Sequence, residues 1–189
     1  MNDRPMAGRE ILIGVTGGIA AYKTAALVSQ LVQDGGQVTV VLTEAAKKFV
    51  GAATFEALSG RPVASEMFQG QRYPLGAHIE LAEQGELLCV APASADFLAK
   101  AALGLADDLL STLYLSFSGP VLMAPAMNSA MWAKPSVQRN VEQLASDGVR
   151  FLEPGAGWLS CRKEGSGRMA EPEEIARQIN AILSAGKRS

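Results

Sequence analysis

The sequence has few of the residues that would announce a metal centre, a disulfide scaffold or a nucleic-acid surface. Its 189 residues include two cysteines, Cys89 and Cys161, and one histidine, His78. Two distant thiols make neither a disulfide framework nor a C-x-x-C pair, and one imidazole excludes a histidine-based metal site, so no metal is expected. Basic charge is also short. Lys and Arg number 17 against 19 Asp and Glu, a formal net charge of −2 with no basic block. A dedicated DNA or RNA binder needs phosphate-neutralising charge on one face, so nucleic acid is not an expected partner. No apolar run approaches the roughly 18 residues of a membrane span. Residues 1–10 are polar and mixed in charge, without the apolar core of a signal peptide. What remains is a globular chain, expected in the cytoplasm and long enough to bury one core.

What is present is a rhythm of strand, glycine turn and helix. Residues 11–15 are almost wholly apolar, as in a strand buried on both faces of a parallel sheet. Gly17 and Gly18 follow, and 20–34 predicts a helix with Leu27, Val28, Leu31 and Val32 on one face. Gly35 and Gly36 stop it, and 38–42 is a second buried strand. Further strands are expected at 87–91 (closed by Pro92), 121–124 and 149–152, with helices at 95–103, 107–117, 134–146 and 172–183. Such alternation implies a single α/β domain, a parallel sheet with helices on both faces. The domain is expected over 9–184, with flexible tails at 1–8 and 185–189. Two stretches break the rhythm, 60–76 and 155–167. The second holds Gly155, Gly157, Gly165 and Gly167 and reads as a mobile binding loop.

Five stretches carry chemistry. The turn after the first strand, Gly14 to Thr24, is where open α/β sheets bind phosphate, using free N–H groups and a helix dipole. It is nearly a P-loop, but Tyr22 stands where the second glycine of that motif belongs, which argues against a nucleotide triphosphatase. Ser94, after Pro92, is placed to cap the following helix and would bring a second helix N-terminus to the same sheet edge. Asn128, in Pro-Ala-Met-Asn-Ser-Ala-Met-Trp, either caps a helix or offers its amide to a carboxylate. Cys161 lies in the glycine-rich stretch, unlike a buried structural cysteine, whereas Cys89 sits in an apolar run and reads as core. His78 starts a helix at 76–81 and taken alone is more often incidental than catalytic.

These blocks, together with Gly-Ser-Gly-Arg-Met at 165–169, come in the order of one family. The chain resembles phosphopantothenoylcysteine decarboxylases, of the homo-oligomeric flavin-containing cysteine decarboxylases, from about Glu10 to the terminal helix. The resemblance implies a Rossmann-like, flavodoxin-type sheet and FMN bound between subunits of a homotrimer or a dodecamer of trimers. It also implies decarboxylation of 4′-phosphopantothenoyl-L-cysteine to 4′-phosphopantetheine in coenzyme A biosynthesis. By matching position, His78 resembles the active-site base and Cys161 the acid that completes the reaction. Asn128 resembles the residue that holds the substrate carboxylate, with Met127, Arg168 and Met169 beside the substrate. Gly17, Gly18, Ile19, Thr43, Ser94, Ala95, Asp96 and Phe97 match the segments that contact FMN.

The chemistry gives those roles a reason. A cysteine carboxylate has no electron sink β to it. In this family flavin oxidises the thiol-bearing carbon, the thioaldehyde carries the charge left by lost carbon dioxide, and the enethiolate is then reduced and protonated. Two departures stand out: Arg162 where bacterial relatives commonly carry glycine, and Asp107 where asparagine is frequent. Bacterial members are often fused to a C-terminal synthetase, and this sequence does not distinguish a stand-alone enzyme from part of a longer one. The rivals are a decarboxylase of peptidyl C-terminal cysteine, a class that lacks the cysteine matched by Cys161, and a non-catalytic flavin-binding regulatory subunit.

Overall fold

The computed structural model describes residues 5–68, 72–158, 162 and 164–186. The first unit is β1 (Glu10–Val15), α1 (Ala21–Gln33) and β2 (Gln37–Leu42), followed by α2 (Ala52–Ser59) and α3 (Ala77–Gln84). Then come β3 (Leu87–Ala93), α4 (Ala95–Leu103), α5 (Leu109–Ser116), β4 (Val121–Pro125), α6 (Ser129–Trp132) and α7 (Pro135–Ser146). The chain closes with β5 (Arg150–Phe151), β6 (Gly155–Trp158), β7 (Glu164–Arg168) and α8 (Pro172–Ala185).

Five strands form one sheet in the order β2-β1-β3-β4-β5, every pair parallel. This is the flavodoxin-type order. The chain leaves β1 towards β2 on one side and continues from β3 towards β4 on the other, so the direction of winding reverses between β1 and β3. Ligands of such sheets bind in the crevice at the carboxyl ends of those two strands.

The period-2 alternation of a strand divides the core in two. Ile11, Ile13 and Val15 face Leu27, Val28 and Leu31 of α1 and Ile175 and Ile179 of α8. Leu12, Leu88 and Val90 face Leu98, Leu110 and Leu113 on the other side. Each fully buried aliphatic side chain contributes roughly 1.5–3 kcal/mol, so both helical layers are held by the sheet rather than by their own propensity. Gly14 lets one such contact close in, because a Cβ on it would stand 2.6 Å from Leu110 Cδ1.

The structure departs from the sequence expectation in four places. Pro92 does not end its strand: β3 runs on to Ala93 through a cis Ala91–Pro92 bond, and its register with β4 shifts between Val90 and Ala93. A proline, lacking an N–H, is accommodated at such an irregularity. Helix α2 occupies a segment assigned to no element. It buries only Phe55, so it leaves almost no apolar periodicity to read. The stretch 155–167, expected to be an irregular loop, contains the antiparallel pair β6–β7. Glycine-rich strands give no side-chain alternation. Residues 5–8, expected in a flexible tail, are tied down by Met6, which is 1% exposed and donates its N–H to the Asp34 carbonyl at 3.0 Å.

Candidate functional site

The crevice between β1 and β3 is stitched by a threonine. Thr16, buried just beyond β1, donates its hydroxyl to the Pro92 carbonyl at 2.7 Å and accepts the Ser94 N–H at 2.9 Å. Thr24, one turn into α1, donates to the Ala91 carbonyl at 2.7 Å. These bonds lock the β1–α1 turn against the end of β3. Gly17 is needed because a Cβ there would stand 2.5 Å from Ala45 Cβ, so the turn passes close beneath the loop that follows β2. In that loop Thr43 accepts the Ala46 N–H at 3.2 Å. Helix α1 has Ala20 as its N-cap residue and therefore no side-chain cap. No hydrogen bond from the described residues satisfies the N–H groups of Gly18, Ile19 or Ala20. An uncapped helix start with free N–H groups suits an anion.

Two more helix starts reach the same edge. Ser94 caps α4 by accepting the Phe97 N–H at 3.3 Å, as expected from sequence. Asn128 caps α6 through Oδ1, which accepts the Met131 N–H at 2.9 Å. The cap uses the oxygen alone, leaving the amide nitrogen to donate elsewhere. The β6–β7 pair docks on this turn. Met127 donates its N–H to the Gly167 carbonyl at 3.0 Å, and Met169, just past β7, is buried.

These elements enclose two adjoining cavities of about 590 and 510 Å³, which share Gly17, Ser94, Ala95 and Met131. Gly18, Ile19, Met127, Asn128, Arg168 and Met169 line the first. Thr43, Asp96 and Phe97 line the second. Segments about 150 residues apart in the chain therefore converge on one groove. Its walls are apolar at the half-exposed Ile19 and Tyr22 and polar at the helix starts.

His78 stands apart. It lies on α3, packed against α5, and is not among the residues lining either cavity. Its Nδ1 is buried with no hydrogen-bond partner among the described residues. Ile79 beside it and Leu115 on α5 are exposed apolar side chains. Cys161 lies outside the described residues. Its neighbour Arg162 has φ +61, the left-handed conformation that glycine adopts at no cost, which is the residue expected there from the resemblance. Cys89 is fully buried, and burial pushes its thiol up to about 12, as suits a core residue.

Charged residues surround the groove, and Lys100, Asp108 and Glu171 among them were not singled out by the motifs. Lys100 lies 3.0 Å from Asp107, 3.3 Å from Asp108 and 3.6 Å from Asp96. Burial lowers its pKa, but the hydrogen bond to Asp107 and the pull of the other carboxylates outweigh it and raise the ammonium to about 12. Asp107 thus holds a cation, and that hydrogen bond keeps its carboxyl below the usual range. At the far end, Lys23 and Arg168 meet the Glu171 carboxylate at 2.9 and 2.8 Å. Their signal, a lysine in a helix and a glutamate 148 positions later, has no local pattern.

The chain matches the family model described as Flavoprotein over residues 1–184. It is 45% identical over 183 residues to the Coenzyme A biosynthesis bifunctional protein CoaBC of Mycobacterium tuberculosis, covering 97% of this chain and 43% of that one. The CoaBC of Bacillus subtilis is 46% identical over 169 residues, 89% of this chain and 42% of that protein. The chain thus spans less than half the length of these curated relatives. Among solved structures, the FMN-dependent cysteine decarboxylase SpaF superposes with a TM-score of 0.82 at 34% identity, over 95% of this chain and 98% of that one. A PPC decarboxylase mutant complexed with pantothenoylaminoethenethiol gives 0.86 at 26% identity, over 93% and 98%. No helix among the described residues is long and apolar enough to cross a membrane. This chain belongs to the flavoprotein family.

Proposed function

We propose that the protein binds FMN and decarboxylates 4′-phosphopantothenoyl-L-cysteine to 4′-phosphopantetheine, as a cytoplasmic step of coenzyme A biosynthesis. One observation carries the reading: the cofactor and substrate segments expected from the sequence meet in two adjoining cavities at the switch point of the sheet. The residues there fit a flavin nucleotide. The uncapped start of α1 and its free N–H groups at Gly18 and Ile19 suit a phosphate. Ile19, Tyr22 and Met131 offer apolar walls for a flat ring. Gly17, Thr43 and the Ser94-Ala95-Asp96-Phe97 turn complete the set that would hold the cofactor. When bound, FMN supplies two-electron redox chemistry, accepting electrons from the thiol-bearing carbon and later returning them.

The protein's own residues bind, orient and move protons. Asn128, with Oδ1 spent on the α6 cap, presents its amide N–H groups to the substrate carboxylate. Met127 and Met169 pack beside the substrate, and Arg168 supplies positive charge to an anionic group. His78 takes the proton released on thiol oxidation, and Cys161 donates the last proton to the product. The unpartnered His78 Nδ1 and the exposed Ile79 and Leu115 support a site completed between subunits, in a homotrimer or a dodecamer of trimers. His78 then serves the cavity of a neighbouring copy.

The test is optical and chemical. Purified protein should be yellow and release FMN on denaturation, and it should convert the substrate to a saturated thiol with loss of carbon dioxide. A colourless protein that takes up no FMN would refute the reading. The 45% identity to a coenzyme A biosynthesis protein supports this substrate class over a peptide.

A further inference from the structure

Lys23 occupies the lysine position of the near P-loop motif, yet its ammonium is already committed. Nζ lies 2.9 and 3.0 Å from the two carboxylate oxygens of Glu171 and 3.4 Å from the Met169 carbonyl. A lysine side chain only 9% exposed needs such a partner, because an unpaired buried ammonium is costly. Its three donors are thus directed at three protein oxygens, and Lys23 is not free to hold a phosphate.

Glu171 is equally committed. It is the N-cap residue of α8, where a carboxylate commonly accepts the first N–H groups of the helix, but its side chain makes no cap bond. It turns instead to Lys23 and to Arg168, whose terminal nitrogen is 2.8 Å from Oε1. The hydrogen bond from Lys23 comes first among the causes that keep the Glu171 carboxyl below its ordinary range, and the charge of Arg168 adds to it. Arg168 is less enclosed, 42% exposed, and lines the larger cavity together with Asn128. One carboxylate therefore joins the cofactor-side helix α1 to the strand β7 that carries Arg168.

We infer that Glu171 is a positioning residue for substrate binding: anchored by Lys23, its carboxylate fixes the Arg168 guanidinium at the cavity wall, where Arg168 meets an anionic group of the substrate. The inference rests on the substrate proposed above, which carries both a carboxylate and a phosphate. A guanidinium drawn to a carboxylate samples fewer rotamers before the ligand arrives, which lowers the ordering cost of binding. Glu171 need not touch the substrate.

The experiment measures equilibrium binding of 4′-phosphopantothenoyl-L-cysteine and of pantothenoyl-L-cysteine by calorimetry on the FMN-loaded protein, each variant being compared in an H78N background so that the substrate is not consumed. E171Q frees Arg168 while keeping size, and E171D keeps the charge near Lys23 but withdraws it by one methylene. Both should weaken binding of the phosphorylated substrate by about tenfold, the loss of one charge-assisted contact, with bound FMN unchanged. R168A should weaken it by at least as much, and E171Q/R168A should be no weaker than R168A alone. If the E171Q effect disappears with pantothenoyl-L-cysteine, the group met is the phosphate; if it persists, the carboxylate. Wild-type affinity in both Glu171 variants, or full additivity in the double variant, would overturn the inference. Wild-type protein that binds the substrate but releases no carbon dioxide would sink the decarboxylase reading and leave the affinity comparison intact. Wild-type protein that binds neither compound would overturn both.

Discussion

Gly167 and Met127 touch through their backbones: the Met127 N–H donates to the Gly167 carbonyl at 3.0 Å, and a Cβ on Gly167 would stand 2.2 Å from the Met127 oxygen. Gly167 also has φ +121, a conformation that an L side chain rarely adopts. The contact seats the β6–β7 pair on the turn that carries Asn128. Gly167→Ala should therefore lift the pair off that turn, since strain and clash together exceed roughly 1 kcal/mol. Faster proteolysis within 155–167 and weakened substrate binding are expected, with FMN retained. Unchanged proteolysis and affinity would show that the seat is not needed.

Asn128→Asp separates its two atoms. The cap through Oδ1 survives, because aspartate caps a helix as well as asparagine does. The donating amide becomes a second acceptor with negative charge, facing the substrate carboxylate. Turnover should vanish while thermal stability and FMN content stay near wild type. An active variant would leave Asn128 as a cap and nothing more.

His78→Asn keeps a hydrogen-bonding tip but cannot carry a proton. Thiol oxidation and carbon dioxide release should fall together by roughly two orders of magnitude or more, with flavin bound. If His78 serves a neighbouring copy, unfolding and refolding His78→Asn together with Asn128→Asp should restore activity, because mixed oligomers regain some sites intact in both residues. Failure of the mixture, with each variant folded and flavin-loaded, would argue that His78 acts within its own chain.

Cys161→Ser replaces a moderately acidic thiol with a far weaker acid. Oxidation and decarboxylation precede the step that needs this proton. The variant should release about one carbon dioxide per flavin, treating the cofactor as a stoichiometric electron acceptor, and leave an enethiol two hydrogens lighter than the normal product. Mass spectrometry of the product decides it. Continued turnover to the saturated thiol would remove Cys161 from the role.

Cys89 gives a pH test. Its folded pKa is raised by burial from the ordinary 9.0 to about 12, so the unfolded chain ionises first. The stabilising effect of keeping the thiol neutral is complete below pH 9. It declines by about 1.4 kcal/mol per pH unit as pH rises from about 9 towards 12. Cys89→Ala lowers stability at pH 7 through a small cavity but should lose less on going from pH 8 to pH 10.5. Parallel denaturation curves for both proteins across that range would contradict a buried, neutral thiol.

The sequence made β1, α1, β2 and β4 legible because their signals are local. Apolar runs bounded by glycines, a helical apolar stripe and serine or asparagine at a helix start depend on neighbours within a few positions. The blocks around Gly17, Ser94, Asn128 and Arg168 were legible for the same reason. Helix α2, with Phe55 alone buried, and the glycine-rich β6–β7 pair were not, because neither carries a side-chain period.

What the sequence by itself determined was the alternation of buried strand and amphipathic helix, the residue types at each turn and the family they resemble. Tertiary structure alone decided which turns meet. Thr16 had to find Pro92 and Ser94 before a crevice existed, and Gly17 had to lie under Ala45 before its lack of a side chain mattered. Lys23, read as part of a phosphate-binding motif, became a buried ion-pair partner only when α8 brought Glu171 within 2.9 Å. His78, read beside the other site residues, came to lie away from the groove because α3 packs on α5 rather than at the switch point. Such pairings are set by which faces the sheet buries, and the energy that selects them is spread over the whole core rather than written at any one position.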